Sequence, residues 1–333
     1  MKEGHYRIMA EGADITALIS DRFISLTLTD SAGEDSDTFS LTLDNRDDKL
    51  KFPGTGTKLR IWIGPEGELM DKGQYTVDEI SEDLWVGDLE ITGKATDTKG
   101  TLKAQKTRTW EAQTLGAIAR KIAGENGYGC TVNPRMESIK IPHTAQKAES
   151  DMNLLTRLCK KHSGIMKIGD GKVLITPKGS GETASGQPLP VIVIDDPDES
   201  KGRVTLQERG TFGAVVVSWF DAAAQANISL TVKGRKDGPT QTLKGKFRNQ
   251  DEAVAAAAAF LEQQERGKAT MTLERPLTPD IVAPGKVRVI GHRQTANGLW
   301  YVETATHHVG SGQPSSTSLS LTTEEYDAEE PKK

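Results

Sequence analysis

Cysteine is nearly absent from the 333 residues: Cys130 and Cys159 are the two, and neither belongs to a CxxC pair. That excludes a disulfide framework and a zinc finger, and makes a reducing compartment the simpler home. Long apolar runs are missing as well. No stretch approaches the ~20 residues needed to span a bilayer, and Met1-Lys2-Glu3-Gly4-His5-Tyr6 has neither the apolar core nor the cleavage signal of a secretory leader. The chain is therefore expected to fold in a cytoplasm, without membrane insertion. Charge of one sign is lacking too: 42 Lys and Arg stand against 47 Asp and Glu, a net −5, and the basic residues are scattered rather than gathered in a stripe. That pattern does not suit a phosphate-tracking nucleic-acid binder.

What is present is β periodicity. Over residues 6–97 the period is two: Ile24, Leu26 and Leu28 alternate with Phe23, Ser25 and Thr27, and Phe39, Leu41 and Leu43 follow. Lys58-Leu59-Arg60-Ile61-Trp62-Ile63-Gly64 and Gln74-Tyr75-Thr76-Val77-Asp78-Glu79-Ile80 continue the series between polar or glycine-bearing turns. Repeated short strands argue for an antiparallel barrel or sandwich, because closing or doubling a sheet hides its edges.

The period then changes twice. Residues 112–126 turn helical, with Leu115, Ile118, Ala119 and Ile122 on one face, Thr114 as cap and Gly127 as stop. A short β segment at Cys130-Thr131-Val132 leads to a second amphipathic helix over 151–162 behind Ser150, and then to a hairpin over 165–176. Beta signal returns from Val191, interrupted by one helix over about 250–266. There Asn249 and Glu252 resemble a capping box, and Ala255 to Ala259 allow close approach to a sheet. The expected fold class is β-rich α+β: two antiparallel β-barrel-like domains flanking a small two-helix α/β module. The expected domains are 1–103, a two-helix module over 104–178, a second barrel-like domain over 179–323, and a mobile charged tail over 324–333.

Reactive constellations are few, and no catalytic, cofactor-binding or metal residue is assigned. His307 and His308 are adjacent on a strand, so they point to opposite faces. Cys159 and His162 have helical spacing but are too few for a closed zinc site. Gly54-Thr55-Gly56-Thr57-Lys58 lacks phosphate-loop spacing and precedes a strand. Gly310-Ser311-Gly312 is not a nucleophile elbow, and Asp195-Asp196-Pro197-Asp198-Glu199 misses the calcium-loop pattern. Lys99, Lys103, Lys106 and Arg108 form either an anionic-ligand patch or a solvated strand or linker, with the solvated reading favoured. Trp62, Trp85, Trp219 and Trp300 are candidates for a seam or a core, with the core favoured because aromatics fill barrels.

Several phrases in order resemble the late control gene D family, the baseplate hub proteins of contractile-tailed phages and R-type tailocins. They include Leu41-Thr42-Leu43-Asp44-Asn45-Arg46-Asp47-Asp48-Lys49-Leu50, Asp71-Lys72-Gly73-Gln74-Tyr75-Thr76-Val77, Ile91-Thr92-Gly93-Lys94-Ala95-Thr96-Asp97, Glu149-Ser150-Asp151-Met152-Asn153-Leu154-Leu155 and Gly298-Leu299-Trp300-Tyr301-Val302. The family is similar in fold to the hub portion of the type VI spike protein VgrG. The resemblance implies a non-enzymatic homotrimer in the virion or tailocin baseplate, joining a hexameric tail tube to a trimeric central spike. Tape-measure and other baseplate proteins are further implied partners, with no specific nucleic acid and no cofactor. Three copies with two similar β regions each present six comparable surfaces, which lets a trimer meet a sixfold ring. A conduit wall in such a hub should be polar and free of apolar patches, so that DNA or a tape-measure protein slides without sticking. The alternative is a cell-wall enzyme or peptidoglycan-binding protein built on the central module, for which the discriminator is connectivity: a LysM-type unit runs strand, helix, helix, strand.

Overall fold

The computed structural model describes residues 4–32, 36–51, 53–95, 100–169, 171–206, 212–221, 224–234, 238–245, 247, 249–265 and 269–323. The expected tail, over 324–333, lies outside them.

In the first region the strands are β1 (His5–Ala10), β2 (Ala13–Asp14), β3 (Phe23–Ser31), β4 (Thr38–Asp44), β5 (Lys58–Gly64), β6 (Met70–Glu82) and β7 (Asp88–Lys94), with a single-turn helix α1 (Thr16–Ile19) after β2. Because alternate residues share a face, each of the longer strands sends one apolar set inward. Leu26 and Leu28, Phe39 and Leu41, Ile61 and Ile63, Tyr75 and Val77, and Leu89 and Ile91 meet in one core. Gly93 lets β6 and β7 approach closely, since a Cβ there would lie 2.1 Å from the Thr76 carbonyl oxygen.

The middle of the chain holds β8 (Gln105–Thr114), α2 (Leu115–Glu125), β9 (Gly129–Val132), α3 (Pro134–Glu137), β10 (Lys140–Ser150), α4 (Asp151–Lys161), β11 (Gly164–Gly169) and β12 (Lys172–Pro177). Thr114 and Ser150 accept the N–H groups of Ala117 and Asn153, satisfying donors that a helix N-terminus leaves open. Leu115, Ile118 and Ile122 of α2 pack with Leu154, Leu155 and Leu158 of α4 over Val173 and Ile175 of β12. β8 and β10 form a two-stranded ribbon, and β9 lies parallel to β12.

The last region contains two cores. Strands β13 (Val191–Ile194), β14 (Lys201–Leu206), β18 (Ala269–Pro276), β19 (Gly285–Val289), β20 (Gly298–Gly310) and β21 (Ser316–Thr322) enclose Met271, Leu273, Val287, Trp300, Val302, Leu319 and Leu321. Beside them β15 (Ala214–Asp221), β16 (Ala226–Lys233) and β17 (Thr240–Thr242) pack on α5 (Gln250–Glu265). Ala253 and Ala257, one turn apart and fully buried, bring α5 close to Val215, Val217 and Trp219.

Barrel closure, expected from the strand count, is not found: no sheet closes on itself among the described strands. The β regions are instead joined edge to edge in one 13-stranded sheet. The 13-residue β20 has two partners on one edge: Gly298 to Val302 pairs with β19, and Thr304 to Gly310 pairs with β3. Glu303 falls at the changeover, where the β20–β21 register also shifts. Alternation reveals which residues of a strand face inward but not which neighbour its edge will find, so the β3–β20 pairing was not readable from the pattern.

Candidate functional site

The outward residues of the joined sheet form its most extended feature. On β3 they are Thr27 and Thr29; on β4, Thr38 and Ser40; on β20, Thr306 and His308; on β21, Ser316 and Ser318. Strand register aligns them in rows that cross the junction between the two regions. One row runs Lys201, Glu274, Ser318, Thr306, Thr29, Thr38, Lys94. The next runs Ser316, His308, Thr27, Ser40, Thr92. Cross-strand contacts hold the row positions: Thr29 and Thr306 hydroxyls lie 3.3 Å apart, Thr27 Oγ1 is 3.2 Å from His308 Nδ1, and Ser40 donates to Glu90 at 2.7 Å. The opposite face of the same strands is core, apolar except for Asp30, His307 and Thr317. The result is a polar surface rich in small hydroxyls, with His308 and Glu90 among them, Lys201, Glu274 and Lys94 at the ends of the first row, and no large apolar side chain in either row.

Behind this face, buried polar groups fix one region against the other. Lys72 Nζ, on a side chain only 2 % exposed, donates to Asp30 Oδ2 at 2.8 Å and to the Pro279 carbonyl at 3.2 Å, and lies 3.2 Å from His307 Nε2. An ammonium can only donate, so Nε2 accepts. Nδ1 therefore carries the hydrogen and donates to Thr317 Oγ1 at 3.0 Å. Burial, reinforced by the Lys72 charge, pushes the His307 pKa down to about 3, so the ring is neutral near pH 7. A second staple ties in the module: Lys167 Nζ on β11 donates to Asp37 Oδ1 at 2.8 Å and to the Ala283 carbonyl at 3.0 Å, touching both β regions at once. Burial holds the Asp37 carboxyl above its ordinary range in spite of Lys167.

Of the basic stretch, Lys106 and Arg108 lie on β8, Lys103 lies in the short turn before it and Lys99 lies outside the described residues; the two charges on β8 are answered within the chain. Lys106 and Arg108 reach the buried Asp151 carboxylate at 2.5 and 2.6 Å and also pair with Glu125. Burial alone would raise the Asp151 pKa; hydrogen bonds from Gln146, Lys106 and Asn126 hold it below the usual range. Arg108 also lies over the Trp110 ring, 4.4 Å from its centroid.

The other candidates do not converge. His307 is buried while His308 lies on the hydroxyl face. Cys159 is buried, its thiol pushed up to about 12 by burial. Gly54 to Thr57 forms a turn closed by the Thr57 hydroxyl donating to the Gly54 carbonyl, and Lys58 begins β5. Asp196 receives Arg275 at 2.8 Å in the turn after β13. Among the described residues no three His, Cys, Asp or Glu side chains cluster as a metal site requires. Trp300 and Trp219 lie in cores, and Trp62 sits between Arg7 and Arg60. Trp85 departs from the expected core placement: it is 96 % exposed, because it falls on the β6–β7 turn and not on a strand. Between the module's two helices lie β9, α3 and β10, a connectivity unlike the LysM order.

Sequence reasoning did not single out Lys72, Asp30, Lys167 or Asp37. Lys72 stands within one of the family-like phrases, the one signal that could have marked it.

Comparison with known proteins gives a consistent result. A family model described as phage tail baseplate hub (GPD) matches residues 79–313. A probable baseplate hub protein of Escherichia phage P2 is 36 % identical over 216 residues, which cover 65 % of this chain and 56 % of that protein. The counterpart from Escherichia phage 186 is 28 % identical over 97 % of this chain and 95 % of its own length. Among solved structures, the 43 kDa tail protein of prophage MuSo2 from Shewanella oneidensis superposes with a TM-score of 0.69 at 15 % identity, covering 96 % of this chain and 98 % of that one.

Proposed function

Because the chain belongs to the phage tail baseplate hub (GPD) family, we propose that it works as a trimeric adaptor in a contractile tail, joining a hexameric tube to a trimeric central spike, and that its hydroxyl face lines the conduit. The observation that carries the reading is the continuity of that face across the β3–β20 junction. A wall over which DNA or an extended protein must slide needs surfaces that hold neither apolar segments nor phosphates. The threonines and serines at the centre of the rows meet that need: their hydroxyls are hydrated and uncharged, and an apolar segment gains nothing by settling on them. Each copy contributes two β regions without a gap, so three copies side by side supply six segments of wall. The Lys72 and Lys167 staples hold those segments at a fixed angle. Nothing in this task requires a bond to be made or broken, so the role is structural.

Mass in solution tests the assembly. The purified chain should sediment, alone at high concentration or with purified spike protein, as a species built on three times 36.1 kDa. A chain that stays monomeric under both conditions overturns the reading.

A further inference from the structure

The β6–β7 turn carries the two most exposed large apolar side chains among the described residues, Leu84 at 94 % and Trp85 at 96 %, followed directly by Val86 at 50 %. Three such residues in a row at a turn are unusual, because turn positions ordinarily go to polar residues and glycine. The turn is firmly built. Asp83 Oδ1 accepts the N–H groups of both Trp85 and Val86 at 2.8 Å, and the Gly87 N–H donates to the Asp83 carbonyl at 2.7 Å. The neighbouring loop braces it, with the Asn45 N–H donating to the Gly87 carbonyl at 2.8 Å. Gly87 has φ +79° and a Cβ there would lie 2.8 Å from Arg46 Cα, so the backbone is held where only glycine fits without strain. An indole and an isobutyl group presented on an ordered turn lose little conformational freedom on docking, and tryptophan is the residue type that most often dominates contact energies.

Position narrows the partner. β4 ends at Asp44 opposite Asp88, the first residue of β7, so the tip extends past the strand ends of the wall. The wall's lateral edges are elsewhere, at β13, β14 and β2. If the wall encloses a conduit, its strand ends form the rim and face the next component along the axis. Number narrows it further. Among the described residues no other turn exposes a tryptophan, so three copies present three tips, which matches a threefold partner and not a sixfold one. The flanking carboxylates of Asp83 and Asp88 suit a socket edged with lysine or arginine.

We propose that the Leu84-Trp85-Val86 tip is the hub's grip on the trimeric central spike, seated in an apolar socket on that protein; the assignment rests on the adaptor reading above. The test titrates purified spike protein and, separately, purified tube protein against the full chain as wild type, Trp85→Ala and Leu84→Ser. Spike affinity should fall at least tenfold in the Trp85 variant, while tube binding, trimer mass and melting temperature stay at wild-type values, since both side chains are almost wholly solvated. Unchanged spike affinity in both variants overturns the tip assignment, and so does a loss of tube binding or of the trimer in place of spike binding. A wild-type chain that binds no spike protein removes the adaptor reading and the tip assignment together.

Discussion

A single lysine side chain, Lys72, spends all three of its protons on groups from three separate segments, and this fixes the protonation of its neighbour. His307 must present a bare Nε2 to it, which keeps the imidazole neutral down to about pH 3, whereas an unfolded histidine takes a proton near 6.5. Between those values the unfolded chain binds one proton more than the folded one. Stability therefore falls as pH drops through that window, by at most about 1.4 kcal/mol per unit. His307→Gln retains an acceptor for Lys72 and a donor for Thr317 but cannot titrate. In urea denaturation its stability should gain on the wild type as pH is lowered from 6.5 to 4; parallel curves would show that His307 contributes no proton linkage. None of this was legible beforehand. Strand period placed His307 and His308 on opposite faces correctly, but a buried cation carries no mark in the local pattern that separates it from an exposed one.

Elements were legible where apolar periodicity and caps coincide. Leu115, Ile118 and Ile122 gave α2 its face, and Ser150 ahead of Leu154, Leu155 and Leu158 gave α4 its start. Ser150→Ala removes the acceptor for the Asn153 N–H and should cost about 1 kcal/mol, read as a lower melting temperature with unchanged helix content. β10 escaped notice for a physical reason. Its buried residues are Ile141, Thr144, Gln146 and Ser150, mostly polar, and they are satisfied by partners such as Arg108 and Trp110, which both reach Gln146. Hydrophobic alternation cannot report a strand whose inward side is a hydrogen-bond network. The Trp85 turn escaped for the opposite reason, since an aromatic next to a leucine and a valine reads as strand interior.

For the molecule as a whole, the β-rich class and the interposed helical segment could be read from changes of period, while the joining of the two β regions could not. It depends on pairing across 281 residues, between Thr27 and His308, and on staples of which the longest, from Lys72 to His307, spans 235. Lys167 is the one that ties the module to both regions. Lys167→Ala leaves the Asp37 carboxylate half-buried without its counter-charge and should release the β11–β12 hairpin from the junction by about 1.5–3 kcal/mol. Amide exchange should then quicken around residues 165–168 and near Asp37, with α2 and α4 protected as before; uniform protection would mean the module is held by packing alone.

The shared strand β20 has a mechanical corollary. A displacement of the first β region past the other by a single residue would exchange the two sides of β3, turning Leu26 and Leu28 outward and Thr27 and Thr29 toward the oily interior. There is no gentle intermediate between those arrangements. On the adaptor reading proposed above, each copy would therefore travel as an undivided piece during discharge of a tail, and whatever yields would lie between neighbouring chains.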